Sequence, residues 1–367
     1  MRTRAAVMRS AQGPFTIEQV ELDDPGPGEL LIRIAGTGLC HTDLLARHMP
    51  DGMMPLPAVF GHEGSGVVEA VGPGVTSAGV GDHVVLSYDS CGACGRCRSA
   101  QPAYCDSFLA RNISGRRPDG STPLTDDGGL PLAGRWFGQS SFAGHALAGE
   151  RNTVVVDRSL PLELLGPLGC GIQTGAGSVL LGLGVHAGSS IVVFGTGAVG
   201  LAAVMAARAA GAGEIIAVDL HPGRRELALE LGATLALDGA DPDLAKVITA
   251  RTGGTDFALD TTAVPAVAVT ALNSLRAKGV CALVGAGSAP LTLPPDALSN
   301  GRSLTYLMEG DAVPQTFIPR LIDMWSRGRF PFDRLIRTYP LDAVNDAERD
   351  SLSGACVKPV LVPGGPS

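Results

Sequence analysis

Up to about residue 157, apolar and polar side chains alternate in short runs broken by Gly and Pro. Glu29-Leu-Leu-Ile-Arg-Ile34, Gly66-Val-Val-Glu-Ala-Val71, Asp82-His-Val-Val-Leu86 and Asn152-Thr-Val-Val-Val156 are examples. Period two with one apolar face predicts strands of an antiparallel barrel or sandwich, and Asp23-Asp-Pro-Gly-Pro-Gly28 predicts a turn. Near residue 188 the rhythm changes. Strand-like segments at 191–194, 214–219, 234–237, 256–260, 279–284 and 303–307 alternate with helical ones, the first two helices ending near Ala210 and Leu231. Six short strands joined by helical crossovers predict a doubly wound parallel α/β sheet. After Gly310 there is one amphipathic helix at about 316–327 and a last strand in Val357-Lys-Pro-Val-Leu-Val362. That tail has too little apolar surface to stand alone, so we expect a first domain over 1–170, a second over 171–308, and return of 309–367 to the first.

Composition sharpens this picture without changing it. A chain of 367 residues suits two cores, and 45% hydrophobic residues with 50 Gly indicate a folded, turn-rich protein. The net charge of −8 and the lack of a basic run argue against a nucleic-acid partner. No run approaches about eighteen apolar residues and no signal-peptide pattern opens the chain, so no membrane association is expected and a cytoplasmic setting is the default. In such a setting clustered cysteines mean metal more often than disulfides. Of eight cysteines, Cys91, Cys94, Cys97 and Cys105 fall together, while Cys40, Cys170, Cys281 and Cys356 are scattered.

Three constellations carry chemistry. Gly195-Thr-Gly-Ala-Val-Gly200 lies between a strand and a helix, as a dinucleotide pyrophosphate requires, and the next strand ends at Asp219, where a ribose-binding acid belongs. Its carboxylate favours NAD over NADP, although Arg224 and Arg225 stand near enough to accept a 2′-phosphate. Cys91-x2-Cys94-x2-Cys97-x7-Cys105, in a lobe at 88–110, can enclose one tetrahedral Zn²⁺ in a closed, structural site. Cys40-His-Thr-Asp43, Gly61-His-Glu63 and Gly169-Cys-Gly171 are dispersed. Cys40, His62 and Cys170 would leave a position open on a second Zn²⁺, though spacing alone allows Cys170 to be a small buried residue.

Gly61-His-Glu-x2-Gly66-x5-Gly72-x2-Val75, with the four-cysteine lobe, the glycine loop and Val80-Gly-Asp-His-Val84, resembles the zinc-dependent medium-chain alcohol dehydrogenase family essentially end to end. Cys40-His-Thr-Asp43, Phe137-Gly-Gln-Ser-Ser-Phe142, Cys170-Gly-Ile-Gln-Thr-Gly175 and Pro314-Gln-Thr-Phe-Ile-Pro319 resemble its aryl-alcohol (benzyl alcohol) members. The resemblance implies a GroES-like catalytic domain, a Rossmann domain, two zinc ions per chain, and reversible oxidation of a primary, aromatic or allylic alcohol with NAD. It implies Cys40, His62 and Cys170 as catalytic ligands, and Asp43 as acceptor of the free His62 N–H beside a possible N-cap role. Glu63 would be the acid behind the metal, active in ligand exchange or purely electrostatic. Thr42 would accept the alcohol hydrogen bond. Val199 belongs to the glycine loop and Val284 would contact the nicotinamide carboxamide, while Lys358 and Arg224 match basic positions near pyrophosphate and ribose. Trp136 and Phe137 fall where the family lines its substrate channel, or are core. The family's relay histidine is replaced by Leu45, leaving His41 as a substitute relay or a pyrophosphate contact. A dimer or tetramer of identical chains is implied. Alternatives are a glutathione-dependent formaldehyde dehydrogenase, a zinc-free quinone reductase of this fold, and a zinc-ribbon interaction module.

Overall fold

A computed structural model describes residues 1–49, 54–285, 287 and 289–364, so the last three residues of the returning tail lie outside it. The chain forms two compact units, Met1–Cys170 with Val313–Pro319 and Asp333–Ser367, and Gly171–Ala312 with Arg320–Phe332. The tail therefore does not act as one piece: its middle stretch belongs with the second unit. There Trp325 packs edge-on against Phe332 at 5.2 Å, and Arg329 donates to the Ala209 carbonyl.

The first unit holds two sheets. Strands Ala58–Val59, Arg2–Met8, Phe15–Leu22, Leu124–Asp126 and Pro131–Leu132 make one. The other runs Thr153–Val156, His83–Leu86, Gly64–Val71, Glu29–Gly38, Lys358–Val362, Ile336–Pro340, with His145–Gly149 also paired to Glu29–Gly38. Alternation in Glu29–Gly38 turns Leu30, Ile32 and Ile34 onto Val68, Val84, Leu86, Ala146 and Ala148. Each such buried Leu or Ile stabilises by about 1.5–3 kcal/mol, and Ile32→Ala would cost about 2–5 kcal/mol. The strand ladders are antiparallel except at the tail, where Lys358–Val362 runs parallel to Ile336–Pro340, and an isolated parallel bridge joins Ala58 to Ala133. Strand periodicity cannot reveal that departure, because it reports faces and not direction.

The second unit is a fully parallel six-stranded sheet, ordered Leu235–Asp238, Glu214–Asp219, Ser190–Phe194, Thr255–Asp260, Leu275–Leu283, Ser303–Tyr306. The strand order reverses between Ser190–Phe194 and Thr255–Asp260, which opens the crevice where such sheets bind ligands. Helix Ala198–Ala210 is almost all small apolar residues, eight of them buried, and stops at Gly211 in the left-handed conformation (φ 81°). Among the described residues, no helix is long and apolar enough to cross a membrane.

Candidate active site

The dispersed residues converge. Cys40 stands at the entry to a 3₁₀ segment, His41–Arg47, while His62 and Glu63 immediately precede strand Gly64–Val71. Cys170 follows the turn Gly166–Gly169, whose Gly169 lies so close to the Leu86 carbonyl that a Cβ would fall 1.9 Å from it. Ligand atoms of Cys40, His62, Glu63 and Cys170 all lie within 4.8 Å of one another, and His62 Nε2 is 3.2 Å from Cys170 Sγ. His62, Glu63 and Asp43 are completely buried.

Asp43 organises the cluster. Its Oδ1 accepts the His62 Nδ1–H at 2.6 Å, the Gly61 N–H at 3.0 Å and the Trp136 indole N–H at 3.1 Å; Oδ2 accepts the Cys40 N–H at 3.1 Å. Capping and ligand orientation coexist in one carboxylate. Because the carboxylate can only accept, His62 Nδ1 carries a proton, which leaves Nε2 as the nitrogen turned toward the sulfurs for a metal to take. Burial disfavours charge on His62, but Asp43 outweighs it and lifts the imidazole well above its ordinary pKa. The Cys40 thiol is drawn well below its usual range by a hydrogen bond from Cys170, overcoming burial with help from Lys358 and His62. Two thiols and an imidazole converging in this way form a donor set that suits zinc.

Behind the cluster, Lys358 Nζ donates to both Glu63 oxygens at 2.9 Å and to the Leu39 carbonyl at 3.4 Å. Lys358 is 2% exposed, and its charge is held by Glu63 against the effect of burial. Gln139 ties the ligand loop down, donating to the His62 carbonyl and accepting from the Gly64 N–H. Phe137, held at φ 48°, stacks on the His62 ring at 4.4 Å and meets Phe108 edge-on at 6.3 Å.

In the lobe the sulfurs of Cys91, Cys94, Cys97 and Cys105 also lie within 4.8 Å of one another. Backbone N–H groups of Ala93 and Cys94 pull Cys91 down to about 6, whereas burial pushes Cys97 up to about 12. Four sulfurs so close ionise together only around a metal, and a four-thiolate shell leaves no room for substrate.

In the second unit the glycine loop fits a dinucleotide. Gly195 has φ 82°, and a Cβ on Gly200 would fall 1.8 Å from the Gly195 carbonyl oxygen. A Cβ on Gly197 would meet nothing within 4 Å, so protein packing does not require glycine there. That open space lies at the uncapped start of helix Ala198–Ala210, which also carries half-buried Val199. Asp219 Oδ2 accepts the Thr196 N–H and hydroxyl, and Oδ1 accepts the His221 N–H. Arg225 is engaged with Asp238 and the Asp219 and Leu220 carbonyls, while Arg224 Nε is buried with no partner among the described residues. Val284 follows the fifth strand and donates to the Asp260 carbonyl.

Residues 26–152 match the alcohol dehydrogenase GroES-like domain, and residues 198–326 match the zinc-binding dehydrogenase domain. A geraniol dehydrogenase of Castellaniella defragrans is 48% identical over 366 residues, 98% of this chain and 97% of the relative. The chain belongs to the zinc-binding medium-chain alcohol dehydrogenase family. A zinc-binding-domain alcohol dehydrogenase from Burkholderia ambifaria shares the fold of this dehydrogenase at TM-score 0.95 and 50% identity, each chain covered to 99%. A benzyl alcohol dehydrogenase from Acinetobacter calcoaceticus does so at TM-score 0.94 and 42% identity, again with 99% of each chain covered. The dehydrogenase is thus an oxidoreductase whose cofactors are zinc and a nicotinamide dinucleotide.

Two of the positions that the likeness singles out are held by contacts within the first unit. Lys358 is paired with Glu63, whose charge it offsets in the buried cluster. Trp136 is 1% exposed with its indole N–H donated to Asp43, as a core residue would be, and Phe137 presents its face to His62. His41 is exposed and Thr42 half-buried. Sequence reasoning missed Gln139 and Thr196, although both sit inside motifs it used.

Proposed function

We propose that the dehydrogenase interconverts primary aromatic or allylic alcohols and their aldehydes, with NAD as hydride carrier in preference to NADP. The convergence of Cys40, His62 and Cys170, with Asp43 orienting His62, carries the reading. These three would hold the catalytic zinc, and Cys91, Cys94, Cys97 and Cys105 a structural one. Zinc bound in this way supplies Lewis-acid polarisation of an alcohol or carbonyl oxygen. The chain does the rest. Asp43 fixes the ligand tautomer, and Glu63, balanced by Lys358, stands ready to take part in ligand exchange. Thr42 accepts the substrate hydroxyl proton, and His41 takes the place of the missing relay histidine at Leu45. Gly195, Gly197, Val199 and Gly200 receive the pyrophosphate, Asp219 the ribose, and Val284 the carboxamide. Asp219 repels a 2′-phosphate, with Arg224 the one group opposing it.

Likeness to relatives named for geraniol, an allylic alcohol, and for benzyl alcohol supports the substrate class. Free cysteines throughout the chain fit a reducing, cytoplasmic setting, and a homodimer or homotetramer is the assembly we propose from family likeness. The test is kcat/KM for benzyl, cinnamyl and geranyl alcohols and ethanol, with NAD⁺ and NADP⁺, with and without glutathione. Each buried methylene contributes about 0.8 kcal/mol, so the larger alcohols should exceed ethanol by roughly a hundredfold or more. Comparable rates with ethanol, or a glutathione requirement, would overturn the substrate class, and equal use of NADP⁺ would overturn the cofactor choice.

A further inference from the structure

The geometry points to Trp136 as a positioning residue for the catalytic zinc, acting through Asp43 and not through the substrate. This rests on His62 being a ligand of that zinc. Asp43 Oδ1 receives three donors, and two of them, the Gly61 N–H and His62 Nδ1–H, belong to the ligand loop itself. The Cys40 N–H on Oδ2 likewise belongs to a ligand. Those bonds move with the residues they orient. The Trp136 N–H, 3.1 Å from Oδ1, is the donor that comes from a different part of the barrel. The indole anchors the carboxylate to Arg135–Gln139, a segment itself fastened by the Trp136 backbone N–H to Ser140 Oγ and by Ser140 Oγ–H to the Val59 carbonyl.

The indole is sealed in place. It is 1% exposed and packed edge-on between Phe60 at 5.1 Å and Phe137 at 5.4 Å. A phenyl or leucyl side chain could fill such an apolar slot; what tryptophan adds is one donor, aimed at a buried carboxylate. With rotation of Asp43 stopped, the His62 ring is held between that carboxylate at its Nδ1 edge and Phe137 on its face. The zinc then meets a ligand already in its bound orientation.

The experiment compares wild-type holoenzyme with Trp136→Phe, Asp43→Asn and the double variant. Zinc per chain is measured first, then the rate at which each zinc passes to a chromogenic chelator, then kcat and KM for benzyl alcohol and ethanol. Two zincs per wild-type chain are expected. Trp136→Phe should release the catalytic zinc about tenfold faster and the lobe zinc at the wild-type rate. Its kcat should fall by the same factor for both alcohols, with KM little changed. The double variant should release zinc no faster than Asp43→Asn, because the two residues act on one bond path. Should Trp136→Phe fail to fold, 3-benzothienylalanine in a Trp325→Phe background keeps the ring shape and deletes the N–H, and should give the same tenfold change. Unchanged zinc release with a KM defect confined to the larger alcohol would overturn the inference and make Trp136 a pocket residue. Additive losses in the double variant would overturn it too. One zinc per wild-type chain would instead remove the site reading on which it stands.

Discussion

The two metal clusters place four potential ligands within the same 4.8 Å, yet they are built in opposite ways. The lobe draws Cys91, Cys94, Cys97 and Cys105 from one short stretch, on brief helical turns whose own N–H groups point at the sulfurs. The catalytic cluster gathers Cys40, His62, Glu63 and Cys170 from distant stretches of the chain and then encloses His62 and Glu63 completely. The lobe has little besides its sulfurs to hold it in shape, whereas the dispersed cluster is held by buried hydrogen bonds of its own. A local site can therefore be complete in ligands and poor in surroundings. A dispersed one needs Asp43, Gln139, Lys358 and an aromatic backing to be a site at all.

The sharpest way to break this contrast is to remove one ligand from each cluster. Cys170→Ser should lower turnover at least about a thousandfold, beyond the 10–100-fold typical of groups behind the ligands, while one zinc and the melting temperature are retained. Zinc analysis and calorimetry on the purified variant decide it; two retained zincs would mean that Cys170 is no ligand. Cys94→Ser should do the reverse. Structural zinc contributes directly to folding, so the loss should be several kcal/mol, or on the order of 10 °C in Tm, with turnover per folded molecule changed far less. Equal thermal stability of the two variants would erase the distinction.

Asp219→Ser, in the other unit, should leave both zincs in place and narrow the NAD/NADP ratio of kcat/KM by about ten- to a hundredfold. Removing the carboxylate takes away the repulsion of a 2′-phosphate, and Arg224, whose Nε has no partner among the described residues, is placed to receive one. It also releases the Thr196 N–H, so some rise in KM for NAD⁺ should accompany the change. A ratio that does not move would assign cofactor choice elsewhere. The smallest effect concerns the aromatic bridge between the clusters. Phe137→Leu deletes the stack on His62 and the edge contact with Phe108, three residues beyond Cys105, and should cost about 1 kcal/mol of stability. Chemical denaturation measures it, and a larger loss when the lobe zinc is absent would show the clusters to be coupled.

How much of this is legible in the sequence follows from the same contrast. The four lobe cysteines and the loop from Gly195 to Gly200 with Asp219 are local patterns in which spacing stands in for geometry. The six parallel strands read correctly for the same reason, since continuous apolar runs with helical crossovers have one common solution. What does not read is contact between distant residues. Lys358 and Glu63 are 295 positions apart, and neither shows in its own neighbourhood that it is buried against the other. Trp136 stays open between pocket and core in the sequence, because an aromatic ring beside a zinc motif fits substrate and scaffold equally well. The direction of one N–H separates them, and no pattern of residue types encodes it.

The strand Lys358–Val362, paired between Glu29–Gly38 and Ile336–Pro340, has a consequence for the order of synthesis. A ribosome delivers the whole of Gly171–Ala312 before it reaches that strand, so the nucleotide unit's sheet can assemble on an uninterrupted stretch of chain. The barrel, begun first, must wait. Until residue 358 emerges, strand Glu29–Gly38 keeps part of an open edge and Glu63 lacks the cation that lets it be buried. The cluster around Glu63 therefore cannot be completed before Lys358 emerges, and a chain stopped ahead of that residue would lack both the strand and the cation.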